Sequence, residues 1–266
     1  MNMRKKAEGT MIIAGIIGAI MVIFIIIPII SMFIDVGISG FIRAAGDRSA
    51  MKAILLSMIA AVYATALSAL FGIPLAYFLA RKKFPGKKLI ESIIDIPIVV
   101  PHIIAGIALL TVFGRHGVLG APLDELGIRI ADSMIGIVIA MMFVSAPFII
   151  NSAKEGFESV DPRLENVAMG LGASRTRAVI TITVPLCMKN LLVGAIMTWA
   201  RAISEFGAVM IIAYYPMVAT THIYTEYLHS GLETSVPIAA LLLLICIIIF
   251  VILRTISARW KRYDQD

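Results

Sequence analysis

Residues Glu165–Pro185, ENVAMGLGASRTRAVITITVP, decide how this chain is read. The stretch carries Glu165, Arg175 and Arg177, too much charge for a membrane span, yet it lies between two long apolar runs. Its local signals are helical. Asp161-Pro162 just before it supplies an N-cap carboxylate and a proline at the first helical position. Leu164, Val167, Ala168 and Leu171 follow at i, i+3, i+4 and i+7, one apolar face. Gly172 stands where a left-handed C-cap ends a helix, and Ser174 can cap a second one. The spacing predicts a short amphipathic helix of about 15 Å, a tight turn, and a return helix running toward Pro185.

The rest of the chain belongs in lipid. Of its 266 residues 60% are hydrophobic and 15% charged, against roughly 45–50% and 25% in soluble domains. A helix crosses a bilayer core with about 20 apolar residues. Six runs qualify: 11–33, 53–80, 89–113, 133–151, 191–213 and 236–253. The fold class is therefore an all-α membrane protein, one domain over 1–266, with the polar segment 161–185 between the fourth and fifth spans. The first run is longer than a signal-peptide core and no A-x-A cleavage site follows, so it reads as an uncleaved helix.

Seventeen of the 23 Lys and Arg fall in the N-terminus, the loop after the second span, the segment after the fourth, and the C-terminus. The alternate loops hold Arg43, Arg48, Lys52, Arg115 and Arg129. Positive charge marks the cytoplasmic side. Both termini and segment 161–185 are thus expected in the cytoplasm, and the +6 net charge needs no nucleic acid to explain it. Cys187 and Cys246 have no metal-ligand spacing and read as packing residues.

Within the spans, small residues recur at Ala60, Ala64, Ser68, Gly72, Ala76 and Ala80, a seam for close helix approach. Pro97 and Pro101 interrupt the third span beyond Asp95 and Glu91. They predict a bend, either beside a pathway or merely shaping the bundle. The fifth span carries Thr198, Arg201, Ser204 and Glu205. A central Arg costs about 2.5–3.5 kcal/mol to insert, and an i,i+4 ion pair returns only about 0.2–0.5. That face must look into protein or water. Two readings stand: a structural ion pair, or a wall or gate of a solute pathway.

Enzyme chemistry is missing. Gly86-Lys87-Lys88 lacks the first Gly and the hydroxyl residue of a phosphate loop. Gly172-Ala-Ser174 lacks the second Gly of a nucleophile elbow. If transport uses a nucleotide, another chain must hold it. The short helix then lies in the lipid interface or docks on a partner. Its single early cation, Arg163, favours a partner.

Glu165-Asn-Val-Ala168-Met-Gly-Leu171-Gly172-Ala173-Ser174, with Ile182-Thr-Val-Pro185 beyond it, resembles the EAA loop of ABC importer permeases. Here Asn166 stands at the family's Glu position with Glu165 one residue earlier, Val167 replaces the first Ala, and Val184 replaces the Leu before Pro185. The resemblance extends through Pro74–Arg81, Phe84–Lys87, Asp95–Gly106 and Trp199–Ala208, which look like the molybdate/tungstate branch, with sulfate permeases sharing the Arg…Glu-Phe-Gly pattern. It implies a type I importer permease fold whose coupling helix is Arg163, Leu164, Glu165, Asn166, Ala168, Leu171, Gly172, Ala173 and Ser174. Which of Glu165 and Asn166 faces the ATPase stays open at this level. It further implies a homodimer in the cell membrane, two ATPase subunits carrying ATP and Mg²⁺, none of either on this chain, and an external oxyanion-binding protein received by the outward loops, 214–236 included. Asp95, Pro97, Pro101, Thr198, Arg201, Ser204 and Glu205 are the pathway candidates. A secondary transporter working without an ATPase is the alternative from another class; a membrane enzyme is disfavoured by the missing chemistry.

Overall fold

The computed structural model describes the backbone of residues 2–259 and the side chains of Met11 and 13–257. The side chains of Arg4, Lys5, Lys6, Arg259, Lys261 and Arg262, part of the charge reading, lie outside these. Twelve α-helices are described: α1 (Asn2–Gly46), α2 (Arg48–Arg81), α3 (Lys87–Val99), α4 (His102–Phe113), α5 (Gly120–Glu125), α6 (Met134–Ser159), α7 (Pro162–Gly170), α8 (Arg175–Ala178), α9 (Val184–Ile203), α10 (Gly207–Ile212), α11 (Ala219–Ser230) and α12 (Leu232–Arg259). A π turn, Val179–Thr183, joins α8 to α9. No strand occurs among the described residues.

Contacts between helices set their directions. Gly72 lies on Ile150, and Arg81 bonds the carbonyl of Phe157, so α2 and α6 run parallel. The chain between them must cross once, through α3 and α4. Gly156 meets Cys187 and Asn190 while Gly194 meets Ser152, so α9 runs antiparallel to α6. Met197 and Val193 lie by Phe250 and Arg254, and Trp199 and Ile203 by Ala239 and Leu242, so α12 returns antiparallel to α9. The end of α1 meets the start of α12 at Gly40 and Pro237. Six crossings follow among the described residues, with the start of α1 and the end of α12 on the side that carries α7.

The small-residue seam has its partner. Ala60, Ala64, Ser68, Gly72 and Ala76 are buried, and α2 packs chiefly along α6. A Cβ on Gly72 would sit 2.8 Å from Ile150 Cγ1, so the close approach depends on the missing side chain. In lipid, such packing replaces the hydrophobic effect as the force between helices.

Several helix bounds differ from the sequence reading, while the bend expected from Pro97 and Pro101 is present. The first helix continues past 33 to Gly46, breaking stride only at Gly37, where φ is +54°. The third run, 89–113, is not one rod: α3 and α4 meet at 112°, because Pro101 has no N–H to continue the ladder and Val100 is extended. The fifth run, 191–213, is divided. Its helical path starts at Arg175 and stops at Ile203, because the Glu205 carboxylate accepts from Ala208 N at 2.8 Å and starts α10 instead. Arg201 therefore sits at the end of a span and not at its middle.

Candidate functional site

The helix predicted from Asp161 to Gly172 is α7. Asp161 accepts from Arg163 N at 2.9 Å. Gly172, at φ +94°, completes a two-bond C-cap: Ala173 N donates to Ala168 O and Gly172 N to Met169 O, each at 3.0 Å. Ser174 then caps α8 through Arg177 N.

The faces of α7 are reversed from the usual amphipathic arrangement. Glu165 is its one buried residue, whereas Leu164, Val167 and Leu171 are exposed, Leu171 at 85%. Three of the four residues in the apolar row read from the sequence thus point away from the bundle. The reason is a polar socket waiting inside. Tyr77 Oη donates to Glu165 Oε2 at 2.7 Å. Arg81 Nε and Nη2 donate to Oε1 at 2.9 and 2.8 Å, and Thr183 Oγ1 donates to Oε1 at 2.7 Å. Arg81 Nη1 also donates to Phe157 O at 2.7 Å, at the end of α6. One carboxylate thereby joins α7 to α2, to the π turn before α9 and, through Arg81, to α6. Burial alone would raise the Glu165 pKa; the hydrogen bonds from Tyr77, Thr183 and Arg81, with the Arg81 charge, outweigh it and hold the carboxyl below its ordinary value. Of the two adjacent polar residues, Glu165 turns inward and Asn166 is exposed, as is Arg163. Ala168 and Ala173 are half-buried, while Gly172 and Ser174 are exposed.

A second polar cluster forms where the two interrupted spans meet. Arg201 Nη2 donates to Glu205 Oε2 at 2.9 Å, and His102 Nδ1 lies 3.0 Å from the same oxygen. Arg201 Nη2 is 2.9 Å from both His102 ring nitrogens. Arg201 only donates and the Glu205 carboxylate only accepts, so His102 stands between a donor and an acceptor. Glu205 is 1% exposed; beyond capping α10 with its side chain, it accepts from Thr220 Oγ1 through its carbonyl at 2.8 Å. Pro101, His102, Arg201, Ser204 and Glu205 share an open cleft of about 650 Å³. The i,i+4 pair is thus both bonded and on the wall of a cavity.

The remaining pathway candidates lie elsewhere. Asp95 accepts from Asn151 Nδ2 at 2.7 Å, and Glu91 accepts from Lys154 Nζ at 2.8 Å, two clasps between α3 and α6. Pro97 is buried. Thr198 is buried with Oγ1 unpartnered, and it does not line the cleft. Sequence reading did not single out Tyr77, Arg81 and Thr183 as site residues, nor His102. Tyr77 and Arg81 share one face of α2 at i,i+4, which was a usable signal; Thr183 had none, because a π turn sets its direction.

Bent spans, a polar cleft between their breaks and a clamped helix on the basic side define a transport permease. Residues 72–263 match the family described as binding-protein-dependent transport system inner membrane component, and the chain belongs to that family. It is 41% identical to the molybdate/tungstate transport system permease protein WtpB of Thermococcus kodakarensis over 96% of this chain and 98% of that one. To the protein of the same name from Pyrococcus abyssi it is 40% identical, over the same shares. Its fold is that of a solved bacterial ABC transporter involved in import of the acidic polysaccharide alginate, with a TM-score of 0.70 and 19% identity over 94% of this chain and 95% of that one.

Proposed function

We propose that this chain is the membrane-embedded subunit of an ATP-driven importer of molybdate or tungstate. Two copies would pair in the cell membrane with both termini cytoplasmic. Two ATPase subunits would bind on the inside, and an oxyanion-binding protein would deliver solute from outside. The near end-to-end similarity to the molybdate/tungstate permeases supports the substrate.

The coupling role rests on one observation: α7 presents Leu164, Val167 and Leu171 outward while Glu165 is tied into the bundle. An exposed apolar row on a short helix is what a groove on a partner takes up. Force on that row would pass through Glu165 and Arg81 to α2 and α6, and through Thr183 to α9. The ATPase would move the spans by moving α7. Arg163, Asn166, Ala168, Gly172, Ala173 and Ser174 would complete the docking surface and its turn.

The test is reconstitution. With its ATPase and binding protein in vesicles, the chain should accumulate molybdate and tungstate only when ATP is present on the ATPase side. Preferential uptake of sulfate would replace the substrate. Accumulation by this chain alone, driven by an ion gradient, would replace the class.

A further inference from the structure

We propose that the cleft between the two interrupted spans is a transient binding site for the transported oxyanion, with Arg201 as its charged ligand. The inference rests on the permease reading above and deepens it.

Arg201 is the one Lys or Arg on the cleft wall among the described residues. It stands at the end of α9, where its guanidinium lines an open cleft. The fork of Arg201 is only partly used. Nη2 serves Glu205 and His102, Nη1 makes one 3.3 Å contact to Ser204 Oγ, and Nε has no partner among the described residues. Planar N–H donors of this kind match tetrahedral oxyanions. Beside them the α4 helix begins. Its first intrahelical acceptor is Pro101 O, taken by Ala105 N, which leaves the N–H groups of His102 and Ile103 without helical partners at the cleft wall. The Arg201 guanidinium and the start of α4 thus border one space of about 650 Å³.

Glu205 makes the site shallow. It repels an incoming anion, and it cannot swing away because Ala208 N and Arg201 Nη2 hold its carboxylate. A transported ion must leave as readily as it enters, and a built-in counter-charge limits how long Arg201 retains it. The backbones are also in close contact here. A Cβ on Gly207 would lie 2.8 Å from His102 Cβ, and one on Gly106 would lie 2.9 Å from Ala208 Cα. Movement of α4 against α10 therefore changes the cleft directly.

The test uses the assembled complex with ATPase and binding protein, and tungstate as probe. Ser204→Cys, in a Cys187→Ala/Cys246→Ala background, is labelled with an anionic methanethiosulfonate during turnover. Tungstate should slow labelling, and Arg201→Gln should lower tungstate transport per ATP by about tenfold. Arg201→Lys keeps the charge but not the fork; it should retain assembly and lose part of the protection, which decides the matter if the Gln variant does not assemble. Labelling indifferent to tungstate in a complex that still transports it would overturn the site, as would Arg201→Gln transport at the parental rate. If the complex carries sulfate and not tungstate, the substrate reading fails alone, and the same labelling with sulfate judges the cleft.

Discussion

Glu165 and Arg81 stand 84 positions apart in the chain and share two hydrogen bonds, at 2.9 and 2.8 Å, with both side chains less than a tenth exposed. The pair turns α7 so that its polar residue faces the bundle and its apolar row faces out. In most surface helices the burial of apolar area decides the orientation; here a buried charge with a prepared set of donors decides it instead.

Removing one partner should be costly. Glu165→Ala leaves Arg81 buried without its carboxylate, a change worth about 3–5 kcal/mol. The thermal midpoint of the purified chain should fall, and the ATPase should no longer co-purify. Glu165→Gln, which keeps one carbonyl acceptor and loses the charge, should fall between. An alanine variant with parental stability would show that the clamp contributes nothing.

Acid should undo the same clamp. The folded pKa of Glu165 lies below its ordinary 4.5, so the folded state favours the ionised form. That stabilisation is fully present above 4.5 and is lost as pH falls through the folded value. The stability gap between wild type and Glu165→Gln should therefore be constant near neutrality and close below pH 4.5. Melting curves across that range measure it; a gap that widens on acidification would contradict the sign.

Gly172→Val tests the turn. Nothing lies within 4 Å of a Cβ there, but φ is +94°, so the cost is conformational, about 1–2 kcal/mol or more for a β-branched residue. The chain should still insert, while the ATPase dissociates or hydrolyses ATP without transport. Coupled transport at the normal rate would remove α7 and its turn from the transmission path.

Two glycines in helices should respond in opposite ways. Gly106→Ala places a Cβ 2.9 Å from the Ala208 backbone, forcing α4 and α10 apart, whereas Gly170→Ala meets nothing within 4 Å. The first should lower stability and transport. The second should be neutral or gain up to about 1 kcal/mol in helix propensity. Expression and melting of the two variants side by side give the comparison.

Leu171→Asp addresses the outward row. The side chain is 85% exposed, so the fold should not change. Binding to the ATPase should weaken by about 1.5–3 kcal/mol, the worth of burying one leucine. A pull-down titration reads it directly.

Much of this was legible beforehand because it is local. Hydropathy marked the six crossings, and Asp161-Pro162, Gly172 and Ser174 marked the ends of α7 and the start of α8, since caps depend on residues a turn away. The prolines marked the bend in the third span. The break after Ile203 was hidden, because the apolar run resumes directly after Glu205 and only the fold of its side chain onto Ala208 ends the helix. His102 was hidden for a related reason: its partners are 99 positions away or more.

The sequence by itself determined that this is a six-span, all-helical membrane protein with a capped, basic-side helix between its fourth and fifth spans. Only the tertiary structure decided which way that helix faces and which charges meet. Glu165 is one charge on an amphipathic helix until Tyr77, Arg81 and Thr183 surround it, and Arg201 is one costly cation until two helix breaks bring His102 beside it. Periodicity and caps act within a few residues along the chain, but a buried charge is settled by whatever the packing of distant segments places around it.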